Sequence, residues 1–180
     1  MAKNTQNAHI FDMAEVWIAE SIDTADPEPN EDFGQGWSEV GLMDGDDGFS
    51  TGREEDSNKH FGWGDILIRQ SRRRFALTRN FSVLEDNATT RRLIWPGSTA
   101  TQIKRPRPEP IKMAFVKFDG DQQIREITAR YAEVEVNGDI AENETDLAKV
   151  QLSAEIYPQV TDDGNVYFNV QREGDASGEG

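Results

Sequence analysis

Apolar residues in this chain recur mostly with period two, in short runs bounded by Gly, Asp, Asn and Pro. That spacing sets every second side chain on one face of an extended strand and has no use on a helix, so the chain reads as mainly β. The clearest stretch runs from Ile66 to Glu85, where Phe75, Leu77, Phe81 and Val83 alternate with Ala76, Thr78, Asn80 and Ser82. Arg79 breaks the polarity of the apolar face. Upstream, Ile66 and Ile68 fall on the opposite phase. A slip of one residue exchanges the faces of a strand, so a bulge or turn is expected near Arg69 to Arg74.

The same reading places strands at Glu15–Glu20 and Gly36–Met43, separated by Ser21–Gln35, a loop rich in acids, Pro and Gly. Asp44–Gly64 has no periodicity and is expected as a long loop carrying the aromatics Phe49, Phe61 and Trp63. Asn87–Trp95 is the one helix the sequence predicts, extending over about 87–96, with Asn87 or Thr89 as its cap and Pro96-Gly97 as its stop. Gly97–Pro110 is a stiff connector whose prolines cannot donate to a sheet. Beyond it, Ile111–Phe118 is apolar on both faces and reads as buried, and an Asp119-Gly120 turn leads into Gln123–Val136. Lys149–Tyr157 follows, and Asp163-Gly164-Asn165 is expected to turn it into Val166–Val170. The domain plan is an arm at 1–12, one β domain at 13–171 containing the 44–64 loop, and a disordered tail at 172–180.

The 180 residues suffice for one core of ordinary size. Cysteine is absent, which excludes disulfides, thiolate nucleophiles and cysteine-based metal sites. No apolar run exceeds four residues, so the chain is expected to be soluble and made in a cytoplasm. Charge is divided. Residues 66–108 hold ten Lys or Arg against Glu85 and Asp86, a local balance of +8 in a chain whose net charge is -15. Such a division suits a protein that repels one surface while gripping another.

Enzymatic readings find little. His9 and His60 are the only histidines, and neither has a partner at metal or triad spacing. Asp44-Gly-Asp46-Asp47-Gly48 suggests a calcium loop, but Gly48 and Phe49 stand where such a loop needs a ligand and a glycine. Gly34-x-Gly36 and Gly62-x-Gly64 lack the third glycine and the helix of a dinucleotide site. No catalytic residue, cofactor or metal site is assigned.

The order of elements resembles a known family. NTQNAHIFDMAEVWIAE, then GWSEVGLMDGDDGFS, HFGWGD, NFSVLEDNATTRRLIW, RYAEVEVNGDI and VQLSAEIYPQVTDDGNVYF together look like the major tail protein, or tail tube protein, of long-tailed bacteriophages. The resemblance spans Asn4–Gln171. It implies a β-sandwich or barrel-like domain with one flanking helix and a long loop. It also implies six copies in a ring, rings stacked into a hollow tube through which DNA passes, and an extended loop and terminal arms bridging successive rings. Partners implied are further copies of the chain, a tape measure protein, and tail terminator and tip proteins. The virion tail is the implied location. The alternatives are another β-sandwich virion component, such as a head-tail joining or capsid decoration protein, or a soluble acidic binding module.

Within that frame Glu133, Glu135 and Glu155 are candidates for the lumen wall, or else form a plain solvated strand face. Phe49, Phe61, Trp63, Arg69, Arg72, Arg73 and Arg74 are candidates for a subunit interface. Phe75 and Phe81 belong to the core by alternation, which leaves the arginines without the aromatic stacking platforms of a nucleic-acid site. Core is also the expectation for Trp37, and Trp95 is expected to join the helix to the sheet.

Overall fold

One long strand is the spine of the molecule, and it begins outside the sandwich in which it ends. The computed structural model describes residues 9–29, 31–142 and 147–172. Its elements in chain order are β1 (Met13–Ala19), β2 (Trp37–Glu39), β3 (Ser50–Phe61), β4 (Leu67–Val83), α1 (Ala88–Ile94), β5 (Pro110–Ile111), β6 (Met113–Asp119), β7 (Gln122–Thr128), β8 (Tyr131–Val136), β9 (Val150–Tyr157), β10 (Gln159–Thr161), β11 (Gly164–Val166) and β12 (Phe168–Arg172). Sheet one has the order β12-β7-β6-β1-β2, sheet two the order β3-β4-β9-β8-β5, and β10-β11 is a separate hairpin. All described pairings are antiparallel.

Only Leu77–Val83 of β4 pairs with β9. The rest, Leu67–Ala76, pairs with β3 alone, so the two strands run beyond the sandwich as a hairpin arm. Asp44–Gly64, read as a loop from sequence, therefore contains a twelve-residue strand. Every residue of that strand except Gly52 is exposed, and a strand with no buried face has no alternation to betray it. The phase change is real. Glu54 lies opposite Ala76 and Asp56 opposite Arg73, an extra residue on β4, and Arg74 there has φ +57°. A second slip leaves Ile68 unopposed between His60 and Phe61.

The chain changes sheet twice without a conventional turn. At Lys112 it passes from β5 in sheet two to β6 in sheet one, and at Ala129-Arg130 from β7 in sheet one to β8 in sheet two. The single run predicted over Gln123–Val136 is thus two strands in different sheets. At the other end of the domain the turn falls at Asp162-Asp163, with Gly164 and Asn165 already in β11.

Between the sheets lies the main core, which includes Val16, Ile18, Leu77, Phe81, Val83, Met113, Phe115, Leu152 and Ile156. Phe115 is fully buried, with Phe49, Phe81 and Phe168 edge-on to it at 5.5, 5.8 and 6.1 Å. Burying such a ring stabilises the fold by about 1.5–3 kcal/mol. Phe75, assigned to this core by alternation, lies beyond the slip that ends at Ala76. It is 43% exposed and rests against Tyr167.

Sheet one is buried on its outer face as well. There Ala19, Trp37, Ala114 and Ile127 form a second cluster with Trp17 and Phe33. The acidic loop after β1 covers them. Lys112 Nζ reaches Asp26 at 2.5 Å and donates to the Thr24 carbonyl, Trp37 Nε1 donates to the Ala25 carbonyl, and Arg125 donates to the Glu31 carbonyl while lying over the Phe33 ring. This double burial explains why Met113–Val116 is apolar at every position.

Helix α1 follows the sequence prediction to within a residue at each end. Asn87 accepts from the Thr89 and Thr90 amides at 2.8 and 2.9 Å, and the Thr90 hydroxyl accepts from the Asn87 amide, completing a capping box. Leu93, 1% exposed, is the helix's deepest contact with the core. Trp95, expected in that role, is the C-cap and only half-buried.

Candidate functional site

The outward positions of sheet two are polar along β8 and β9, where Glu135 and Glu155 are exposed and Glu133 is half-buried. On β8, Glu133 and Glu135 alternate with buried Ala132 and Val134; on β9, Glu155 alternates with buried Ala154 and Ile156. Glu133 stands directly opposite Glu155, and Glu135 opposite Ser153. Thr78 and Asn80 of β4 continue these rows. None of the three glutamates joins an ion pair among the described residues. Like charges facing each other across a strand pair are unfavourable, so Glu133 and Glu155 sit together at a cost to stability. Their field acts on Tyr157, whose hydroxyl meets Glu133 at 3.3 Å. Burial first, and then Glu155 and Glu133, raise its phenol above the ordinary value. Tyr157 stacks on Tyr131 at 4.9 Å, and Arg130 lies over the Tyr131 ring at the margin of the face.

The arm carries six of the seven residues predicted as an interface. At its tip Trp63 is 100% and Phe61 58% exposed, with Ile66, Leu67 and Ile68 beside them at 65%, 50% and 71%. The tip closes through the Gly62 amide donating to the Ile66 carbonyl, with Gly64 and Asp65 at positive φ. A cluster of five large apolar side chains in water marks a surface built to be covered. Down the stem, Arg69, Arg72, Arg73 and Arg74 are all exposed, with Arg72 and Arg74 near Glu55 and Asp56 at 3.7 and 3.4 Å. Exposed pairs of this length contribute little to stability. Phe49 is different: it is half-buried against Phe115 at the base of the arm, within one copy of the chain.

The basic segment separates into groups with different partners. Arg91 forms a two-point pair with Asp86 at 2.7 and 2.8 Å, and Arg92 reaches Glu109 at 2.7 Å. Lys104, Arg105 and Arg107 line the exposed connector. Arg79 points inward between the sheets, where it is 7% exposed, paired with Glu126 of β7 and lying 5.4 to 5.7 Å from the Phe115, Phe168 and Phe49 rings. Burial pulls its guanidinium below the ordinary value while Glu126 pulls the other way. The broken alternation at Arg79 was the signal for this site; nothing in the sequence pointed to Glu126.

The acidic run after β2 closes on a lysine. Asp44 and Asp47 hold Lys149 Nζ at 3.1 and 3.0 Å, and the Ser82 hydroxyl donates to Asp47 at 2.5 Å. The Lys149 hydrogen bond is the largest influence lowering the Asp44 carboxyl, and Ser82 the largest on Asp47. Among the described residues no group of three His, Asp or Glu side chains converges as a metal site would require. His9 Nδ1 meets Asp119 at 2.6 Å, and His60 is exposed on β3.

A family model described as phage tail tube protein matches residues 1–170. No curated protein matches the chain.

Proposed function

Because the chain belongs to the phage tail tube protein family, a family of structural virion proteins that assemble with themselves into a tube, we propose that it polymerises as stacked hexameric rings forming an acidic conduit for DNA ejection into the host. The observation that carries this reading is the outer face of sheet two, where Glu133, Glu135 and Glu155 share one side, unscreened by lysine or arginine ion pairs among the described residues. Duplex DNA bears about one negative charge per 1.7 Å. A basic wall would hold it, whereas an acidic wall lets it pass. The outer side of sheet one instead carries the cluster of Ala19, Trp37, Ala114 and Ile127, over which the loop after β1 lies.

In this reading sheet two lines the lumen and the arm bridges to a neighbouring ring. Phe61 and Trp63 are its apolar anchors, and Arg69, Arg72, Arg73 and Arg74 orient it against the acidic surface of the next copy. Residues 13–171 act as the tube domain; the expected arm at 1–12 and tail at 172–180 lie mostly outside the described residues. The protein works without catalysis or cofactor. It assembles in the host cytoplasm around a tape measure protein, between terminator and tip proteins, to build a long flexible tail.

Electron microscopy of the purified protein tests the assembly. Stacked rings with a central hole are expected. A compact monomer under all conditions would instead favour a joining or decoration protein. The wall has its own test: changing Glu133, Glu135 and Glu155 together to lysine is expected to leave tubes intact and slow DNA release from virions, and ejection at the normal rate would rule the acidic-wall assignment out.

A further inference from the structure

The arm's apolar tip has a fitting receptor on the same chain, placed where the tip cannot reach it. Beside α1 lies a cleft of about 860 Å³ whose apolar lining includes Ile94, Trp95, Ile103, Ile140, Ala148 and Val150. Its volume lies within the range of sites that bury a compact apolar ligand, and an indole with a neighbouring phenyl ring is such a ligand. The tip ends at Ile68, near the start of β4, and the cleft is lined by Val83, the last residue of that strand, and by the helix that follows. The length of β4 therefore separates them, about 50 Å at the rise of a β-strand. One copy cannot fold its own tip into its own cleft.

We infer that the cleft beside α1 receives the Phe61–Ile68 tip of a second copy of this chain. Charge supports the pairing. The rim of the cleft carries Glu85, Asp86 and Glu142; Arg91 is turned onto Asp86 and Arg92 onto Glu109, leaving Glu85 and Glu142 without a cation among the described residues. The incoming stem brings Arg69, Arg72, Arg73 and Arg74 immediately behind its apolar end. A knob at one pole and a hole at the other make a head-to-tail contact, which leaves free knobs at one end of a stack and free holes at the other and so extends along an axis wherever it does not close into a ring. The inference rests on the tube reading above and adds to it the surface on which each new layer of copies seats.

The chain has no cysteine, so engineered thiols report the contact directly. His60 and Gln102 are exposed, the first beside the apolar tip and the second on the lining of the cleft, and neither is one of the apolar contacts. The double variant H60C/Q102C, assembled and then oxidised, is expected to run as a ladder of dimers, trimers and higher species on a non-reducing denaturing gel. The pair H60C/V160C, with its second thiol on the β10-β11 hairpin where Val160 is 78% exposed, is expected to stay at monomer mass. Tubes that form normally while H60C/Q102C gives no ladder, or a ladder no stronger than H60C/V160C, would overturn the receptor assignment and leave the tube reading standing. Failure of the unmodified protein to form any assembly under the microscope would overturn both.

Discussion

Replacing Arg79 with alanine is expected to destabilise the fold by about 3–5 kcal/mol, the cost of removing one partner of a buried ion pair. Two effects add. The guanidinium fills the space among Phe49, Phe115 and Phe168, so truncation leaves a void between the sheets. Glu126 also loses its strongest neighbour, although Lys117 Nζ remains at 2.9 Å and holds the cost towards the lower end. At about 2–4 °C per kcal/mol for a chain of this size, the melting temperature should fall by roughly 10 °C. Joint replacement by Arg79→Met and Glu126→Gln should recover most of the loss, since a buried pair exchanged as a unit for groups of similar shape can be near neutral. Thermal melts of the single and double variants decide it. A fall of less than about 2 °C for Arg79→Ala would mean that the pair contributes nothing net.

The second large effect is expected at a glycine. Gly41 has φ +100°, and a Cβ there would stand 2.4 Å from Glu85 Oε2 and 2.8 Å from Asn87 Nδ2. Those two atoms tie the chain after β2 to the start of α1: Glu85 accepts from the Leu42 amide at 3.0 Å, and Asn87 donates to the Val40 carbonyl at 2.9 Å while capping the helix. Gly41→Ala therefore combines backbone strain of about 1–3 kcal/mol with partial loss of a cap, worth about 0.5–2 kcal/mol. A loss of about 2–4 kcal/mol in urea unfolding is expected on these grounds. Gly138→Ala supplies the comparison, because Gly138 has a similar φ of +97° with nothing near its Cβ position. If the two substitutions cost the same, the contact with Glu85 and Asn87 plays no part.

How far the fold could be read beforehand depended on which residues face a core. Asn87 and Pro96-Gly97 are local signals and located α1 closely. The clash of phases between Ile68 and Phe75 placed a slip near Arg69 to Arg74, because alternation records which side is buried, and the register puts it at Arg74. Ser50–Phe61 faces no core, so its strand was invisible. The crossing at Ala129-Arg130 was hidden for another reason: the chain bends there with no glycine or proline to mark it. Loop 20–36 is held by carbonyls that accept from Lys112, Trp37 and Arg125, partners with no regular sequence spacing. For the candidate site, alternation put Glu133, Glu135 and Glu155 outward, but only register could set Glu133 against Glu155. The apolar tip was visible as composition in Phe61 and Trp63. Phe49 was not separable from them until the base of the arm was seen to pack on Phe115.

The strict alternation of β8 and β9 has a consequence for inheritance. Ala132, Val134, Ala154 and Ile156 answer to the core, while Glu133, Glu135 and Glu155 between them project away from it. Drift at the outward positions leaves the packing untouched, so the charge of that surface can change over generations with little penalty in folding. Natural selection can then act on what the surface meets, independently of what keeps the protein folded.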